Sequence, residues 1–204
     1  KGEYFYSQMM ARLWYNDRFA WLDEDEIREG DVLLISVPFS DTGNMPVDLE
    51  KLLINCDNKK VPVMLDFAYI NLAKGFTVDV SHPCIEYIVT SLSKVFPVEN
   101  LRIGMRMQRT MFEDQLYVAN EDGHNYINLL SAFVGTKLID RYEADFIHDK
   151  YKLKQKSMCE KYNLEVSSSV YFGIDKNNNF PIYNRGGESN RLCFSKIWDG
   201  RATE

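Results

Sequence analysis

The chain has no apolar run approaching the roughly 18 to 20 residues that a membrane span needs. Its opening, Lys1-Gly2-Glu3-Tyr4-Phe5-Tyr6, carries no signal-peptide core. No membrane partner is expected, and the expected compartment is cytoplasmic. Cysteine is sparse, and Cys56, Cys84, Cys159 and Cys193 lie far apart with no CxxC and no histidine pair nearby. That spacing argues against a zinc site and for reduced, mostly buried thiols, so no metal is expected. Positive charge is also not in excess. Against 30 acidic residues stand 24 basic ones, a formal net charge of -6 that argues against a broad nucleic-acid-binding face. What is present is ordinary for a globular chain: 204 residues, 45% hydrophobic and 26% charged, enough to bury a core without disulfide or metal staples.

Tyr4, Phe5, Tyr6, Met9, Met10, Leu13 and Trp14 recur near helical spacing, which predicts a helix to about Tyr15. The acidic run Asp23-Glu24-Asp25-Glu26 reads as solvated surface. Three short apolar runs rich in β-branched residues follow, Val32–Val37, Val61–Asp66 and Glu86–Ser91, each fitting a strand buried on both faces. The amphipathic stretch Val47–Leu53 between the first two makes strand-helix-strand, hence parallel pairing. A fourth strand, Arg102–Met107, comes too soon after Ser91 for a parallel crossover and is expected to run antiparallel. The Met105-Arg106-Met107 alternation reads as sheet burial. Helices are expected near 125–138 and 142–162, then strands near 166–174 and 191–197, with Asp175–Asn179 as a turn. The fold class is thus α/β: a mostly parallel sheet with one antiparallel strand over residues 1–109, and a small α+β unit over residues 110–204. His82, His124 and His148 have no carboxylate or cysteine pattern beside them and read as surface or packing residues.

In an open α/β sheet, ligands sit beyond the carboxyl ends of parallel strands. There this chain is unusually polar: Pro38-Phe39-Ser40-Asp41-Thr42-Gly43, then Asp66-Phe67-Ala68-Tyr69, then Ser91-Leu92-Ser93-Lys94. Taken singly these have plainer readings, since aspartates cap turns and lysines are mostly exposed. Jointly, with Arg102-Ile103-Gly104 eight residues beyond the lysine, they resemble the fold type I pyridoxal-phosphate enzymes, and within them the class I/II aminotransferases.

The resemblance implies pyridoxal 5'-phosphate as cofactor and Lys94 as the amine that tethers it and moves a proton at the substrate α-carbon. It implies that Asp66 holds the ring nitrogen protonated, that Tyr69 bonds the phenolic oxygen, and that Ser91 and Arg102 bind the phosphate. Ser40 stands where the family usually has asparagine, a weaker partner for the phenolic oxygen. Arg191 matches the arginine that grips the substrate α-carboxylate, with Arg185 and Arg201 as competitors. The implied partners are an amino acid, a 2-oxo acid and a second copy in a homodimer. β-Lyase or decarboxylase chemistry on the same cofactor, and a non-catalytic module retaining the fold, stay open. Family members usually run much longer, with further strands ahead of the first one here. The chain is therefore expected to be a fragment of a longer enzyme that binds cofactor weakly on its own.

Overall fold

Branched side chains pack well on a pleated surface and lose rotamer freedom in a helix, so the runs after Asp31, Lys60 and Cys84 settle as strands. The computed structural model describes residues 1–15, 18–96, 98, 100–121 and 127–198. In these, β1 (Leu33–Ser36), β2 (Val63–Asp66), β3 (Ile85–Ser91) and β4 (Gly104–Gln108) form one sheet in that order. The first three run parallel, and β4 lies antiparallel to β3. A second sheet of β5 (Glu165–Val166), β6 (Phe172–Asp175) and β7 (Asn190–Cys193) is wholly antiparallel. The fold is mixed α/β with a small C-terminal α+β unit, as expected.

Among the described residues six α-helices accompany the sheets: α1 (Phe5–Tyr15), α2 (Leu49–Lys59), α3 (Gln115–Glu121), α4 (Leu129–Arg141), α5 (Phe146–Tyr162) and α6 (Ser195–Trp198). No helix among the described residues is long and apolar enough to cross a membrane. As the crossover from β1 to β2, α2 buries Leu49, Leu53 and Cys56 against Leu33, Ile35, Val37, Val63 and Leu65. Each such aliphatic side chain contributes about 1.5 to 3 kcal/mol when fully buried. The helix predicted over 125–138 is represented by α4 from Leu129, where the Asn128 side chain accepts the Ser131 N–H at 3.0 Å, and residues 125–126 lie outside the described residues. His124 lies outside the described residues.

Four expectations need correction. The strand predicted to reach Ile197 stops at Cys193, because Ser195–Trp198 turn into α6 and lay Trp198 flat on Tyr151, 4.9 Å between ring centroids. Met105 and Met107 are exposed rather than buried, since β4 is the margin of the sheet. Every residue of the third predicted strand, Glu86–Ser91, is only half-buried, so β3 is not enclosed on both faces. His82 and His148 do have carboxylates beside them: Asp57 at 2.6 Å and Glu50 at 3.1 Å from His82, both brought by α2 from more than twenty residues away, and Asp149 at 3.2 Å from His148. The cysteines are free, Cys56, Cys84 and Cys159 buried and Cys193 exposed.

The two sheets meet at the turn after β1. Ser167 Oγ donates to the Thr42 carbonyl at 2.6 Å, Ser169 N–H to the Gly43 carbonyl at 2.9 Å, and Ser168 N–H to Asn44 Oδ1 at 2.7 Å. Behind this seat the Gln155 amide of α5 donates to the carbonyls of Ser167, Ser169 and Phe172. An apolar cluster seals the join, with Tyr69, Leu72 and Val95 from one side and Tyr151, Val170 and Phe172 from the other.

Gly43 has φ of 67°, and a Cβ there would lie 2.5 Å from both Phe172 Cδ2 and Ser167 Oγ. Gly43→Ala is therefore expected to destabilise the chain by about 3 kcal/mol, read as a lower denaturant midpoint. His82 is held above its ordinary pKa, mainly by its hydrogen bond to Asp57. That contribution is complete below the unfolded value of about 6.5 and is lost as pH rises through the folded value. Denaturation at pH 6 and pH 9 should show a loss of stability with rising pH in the wild type that His82→Ala removes.

Candidate active site

Parallel strands deliver their carboxyl ends to one margin, and the register sets Ser36, Asp66 and Val89 side by side there. Asp66 ends β2 half-buried, and its Oδ1 accepts the Ala68 N–H at 2.9 Å. Burial pushes the carboxyl above its ordinary pKa, and nearby Glu3 adds to this, while the Ala68 N–H and the Lys94 ammonium pull it back. Lys94 stands exposed in the turn after β3, with Nζ 5.7 Å from the centre of the Tyr4 ring. It makes no ion pair among the described residues. Tyr69 is buried between Tyr4, 5.2 Å between centroids, and the Phe172 edge at the same distance.

Asp66, Tyr69 and Lys94 thus come together, and two residues join them that sequence reasoning missed. Glu3 accepts the Ser36 N–H at 2.9 Å and the Ser36 hydroxyl at 2.6 Å, which fastens the N-terminal segment across the strand ends. Tyr4 then lies against Tyr69 and Lys94, its Oη buried without a hydrogen-bond partner. Burial, reinforced by the Tyr69 phenol, holds the Tyr4 hydroxyl far above its usual range. In the sequence Tyr4 is one aromatic in a helical pattern and Glu3 an ordinary acid. No local signal marks either, because the site is assembled from segments thirty and more residues apart.

Ser91 and Arg102 lie along the β3–β4 margin. Ser91 ends β3 opposite Gly104, and its Oγ accepts the Ser93 N–H at 3.2 Å. Arg102 is exposed just before β4. One residue before Lys94, the Ser93 hydroxyl is buried without a partner.

Ser40 is fully buried, and its N–H donates to Ser36 Oγ at 2.7 Å. Two arginines from the small unit converge on it. Arg185 Nη1 donates to the Ser40 carbonyl and to Ser40 Oγ, each at 3.2 Å, and Arg191 Nη1 donates to the same carbonyl. Phe172 backs the Arg191 guanidinium at 4.1 Å. Beside them Asp41 is 3% exposed, pushed up by burial and pulled down by both guanidiniums. Arg201 lies outside the described residues. Among the described residues no group of three or more His, Cys, Asp or Glu is placed to hold a metal ion.

Residues 17–163 match the family described as aminotransferase class I and II. Among solved structures the chain is similar to an aromatic aminotransferase from Pyrococcus horikoshii, at 12% identity and TM-score 0.66 over 91% of this chain and 61% of that one. It is similar to an aspartate aminotransferase from Thermotoga maritima, at 14% identity and TM-score 0.62 over 85% and 54%. A third likeness is to an L-threonine-O-3-phosphate decarboxylase from Porphyromonas gingivalis, at 13% identity and TM-score 0.65 over 98% and 72%. At such identities the likeness is one of fold. The chain spans about half the length of these two aminotransferases, 61% and 54%. No curated protein matches it.

Because the Lys94 ammonium lowers the Asp66 pKa, removing it should raise that pKa further above the ordinary value of about 3.9. Carbon-13 NMR titration of the Asp66 carboxyl in wild type and Lys94→Met should show an upward shift in the variant, and coincident curves would separate the two groups.

Proposed function

The chain belongs to the class I and II aminotransferase family of fold type I pyridoxal-phosphate enzymes, and we propose that it is the cofactor-lysine portion of an aminotransferase acting on an amino acid and a 2-oxo acid. The observation that carries this is the meeting of Asp66 and Lys94 at one margin of the sheet, close enough for the ammonium to act on the carboxyl. The donor set suits pyridoxal 5'-phosphate: a half-buried acid, an amine without an ion pair, a phenol, and a buried serine hydroxyl still lacking a partner. When bound, the cofactor supplies a sink for the electrons of a bond broken at the substrate α-carbon.

Each residue then has a task set by its position. Asp66 holds a proton on the ring nitrogen, and its partial burial strengthens that pairing. Lys94 would tether the cofactor and carry a proton at the substrate α-carbon, for which an exposed amine with no ion pair among the described residues is suited. Tyr69 donates its phenol to the cofactor's phenolic oxygen, and the Tyr4 ring flanks the crevice between Tyr69 and Lys94. Ser91, Ser93 and Arg102 hold the phosphate end. Ser40 stands at the cofactor's phenolic oxygen in the sequence pattern. Its carbonyl and hydroxyl also anchor the guanidiniums, so it fixes Arg191 toward the substrate α-carboxylate.

The proposal treats residues 1–109 as the large, cofactor-side unit and 110–204 as the small one, working in a cytoplasmic homodimer as in the family. α-Decarboxylation is the second reading, since the decarboxylase from Porphyromonas gingivalis is covered to 72% of its length, more than either aminotransferase above.

Borohydride reduction of the chain in millimolar pyridoxal phosphate, followed by peptide mass mapping, tests the reading. Label should concentrate on Lys94, and Asp66→Ala should reduce it about tenfold. Label spread evenly over surface lysines would defeat the assignment. Release of carbon dioxide from amino acids without oxo-acid exchange would favour the decarboxylase.

A further inference from the structure

Arg185 and Arg191 present an arrangement that the fold alone does not require. Both guanidiniums donate to one neutral oxygen, the Ser40 carbonyl. Two like charges sharing a small, partly desolvated volume repel, and the arrangement persists only if something offsets them. Arg185 registers this, its pKa pushed down by burial and then by Arg191. Arg191 Nε is buried with no partner at all.

The candidate counter-charge is Asp41, yet Asp41 makes no ion pair among the described residues, and its Oδ1 is buried without a partner. It acts on both arginines through space without occupying their donor forks. Two glycines hold it there. A Cβ on Gly187 would collide with Asp41 Oδ2, and one on Gly2 would lie 2.5 Å from Asp41 Cβ. Backbone from both ends of the chain is thus packed against this carboxylate. Two guanidiniums and one carboxylate leave a single net positive charge beside unused N–H donors. The Phe172 ring, 4.1 Å from the Arg191 guanidinium, fixes the plane of that fork.

We infer that Arg185 and Asp41 complete an anion site around Arg191: the two guanidiniums grip one carboxylate group together, and buried Asp41 sets the accepted charge at one. Arg185 contributes a second set of charge-assisted hydrogen bonds to the same ligand oxygens. Asp41 repels any second negative charge, so a monocarboxylate group fits and a phosphate dianion is disfavoured. The identity of the ligand as a substrate's α-carboxylate rests on the reading under Proposed function, whereas the anion site rests on the residues themselves.

The test is equilibrium binding of sodium propionate, and separately of inorganic phosphate, to the cofactor-free chain at pH 8 and constant ionic strength. Proton–nitrogen NMR of the arginine side chains provides the readout. In the wild type, propionate should saturate, bind more tightly than phosphate, and shift both Arg185 and Arg191. Arg185→Gln should weaken propionate about tenfold, equivalent to about 1.4 kcal/mol. Arg185→Lys, which keeps the charge without the fork, should fall between them. Asp41→Asn, nearly isosteric, should tighten propionate several-fold and turn the preference toward phosphate.

The inference is overturned if propionate does not saturate, if only Arg191 shifts, if Arg185→Gln stays within twofold of wild type, or if Asp41→Asn fails to tighten binding. The wild-type shifts stand even where a variant does not fold. Borohydride trapping on Lys94 is read separately. Propionate binding as described with no label on Lys94 refutes the enzymatic reading and leaves the anion site, and the opposite pair of results does the reverse.

Discussion

A turn without side-chain bulk at Gly43 is what lets the second sheet reach the first. Its carbonyl receives the Ser169 N–H, Thr42 receives the Ser167 hydroxyl, and Phe172 fills the space a Cβ would take. The same seat carries β6 and β7 to the strand ends, so Arg191 meets Ser40 and Phe172 meets Tyr69. Close approach is needed here because the small unit brings two guanidiniums to a margin that already holds acids, phenols and Lys94.

The electrostatics of that margin are a contest between burial and charge. Asp66 and Asp41 are both raised by desolvation, and each is drawn back by cations contributed by another segment: Lys94 for the first, Arg185 and Arg191 for the second. Neither acid forms a direct ion pair among the described residues. Acids held this way leave the neighbouring cations free for a ligand, whereas Lys74 is closed on Asp145 and Asp149. The difference lies in geometry, since each of these residue types is common on any surface.

Much of the large sheet was legible because strand formation rests on local chemistry. Val32–Val37 and Val61–Asp66 are short, apolar and β-branched, and the brevity of the link after Ser91 forced β4 to turn back. That Asp66, Tyr69 and Lys94 lie near one margin was legible for a related reason: each ends or follows a strand, and strand ends of a parallel sheet share a margin. Less was legible where a neighbour decides the outcome. Met105 and Met107 alternate as buried residues do, but on the last strand of the sheet both stay exposed. Cys193 ends a strand because Trp198 finds Tyr151, and His82 gains two acids only when α2 crosses the sheet.

The sequence by itself determined the order of strands and helices, the sense of β4, and which polar residues would stand at the carboxyl ends, because periodicity, chain reach and strand direction are local properties. Tertiary structure alone decided that Glu3 and Tyr4 close over Asp66 and Lys94, and that Arg185 and Arg191 share the Ser40 carbonyl beside an unpaired Asp41. Those contacts join segments up to 151 residues apart. No local pattern encodes them, since each depends on where the packing of Phe172, Tyr69 and Gly43 finally sets the two sheets.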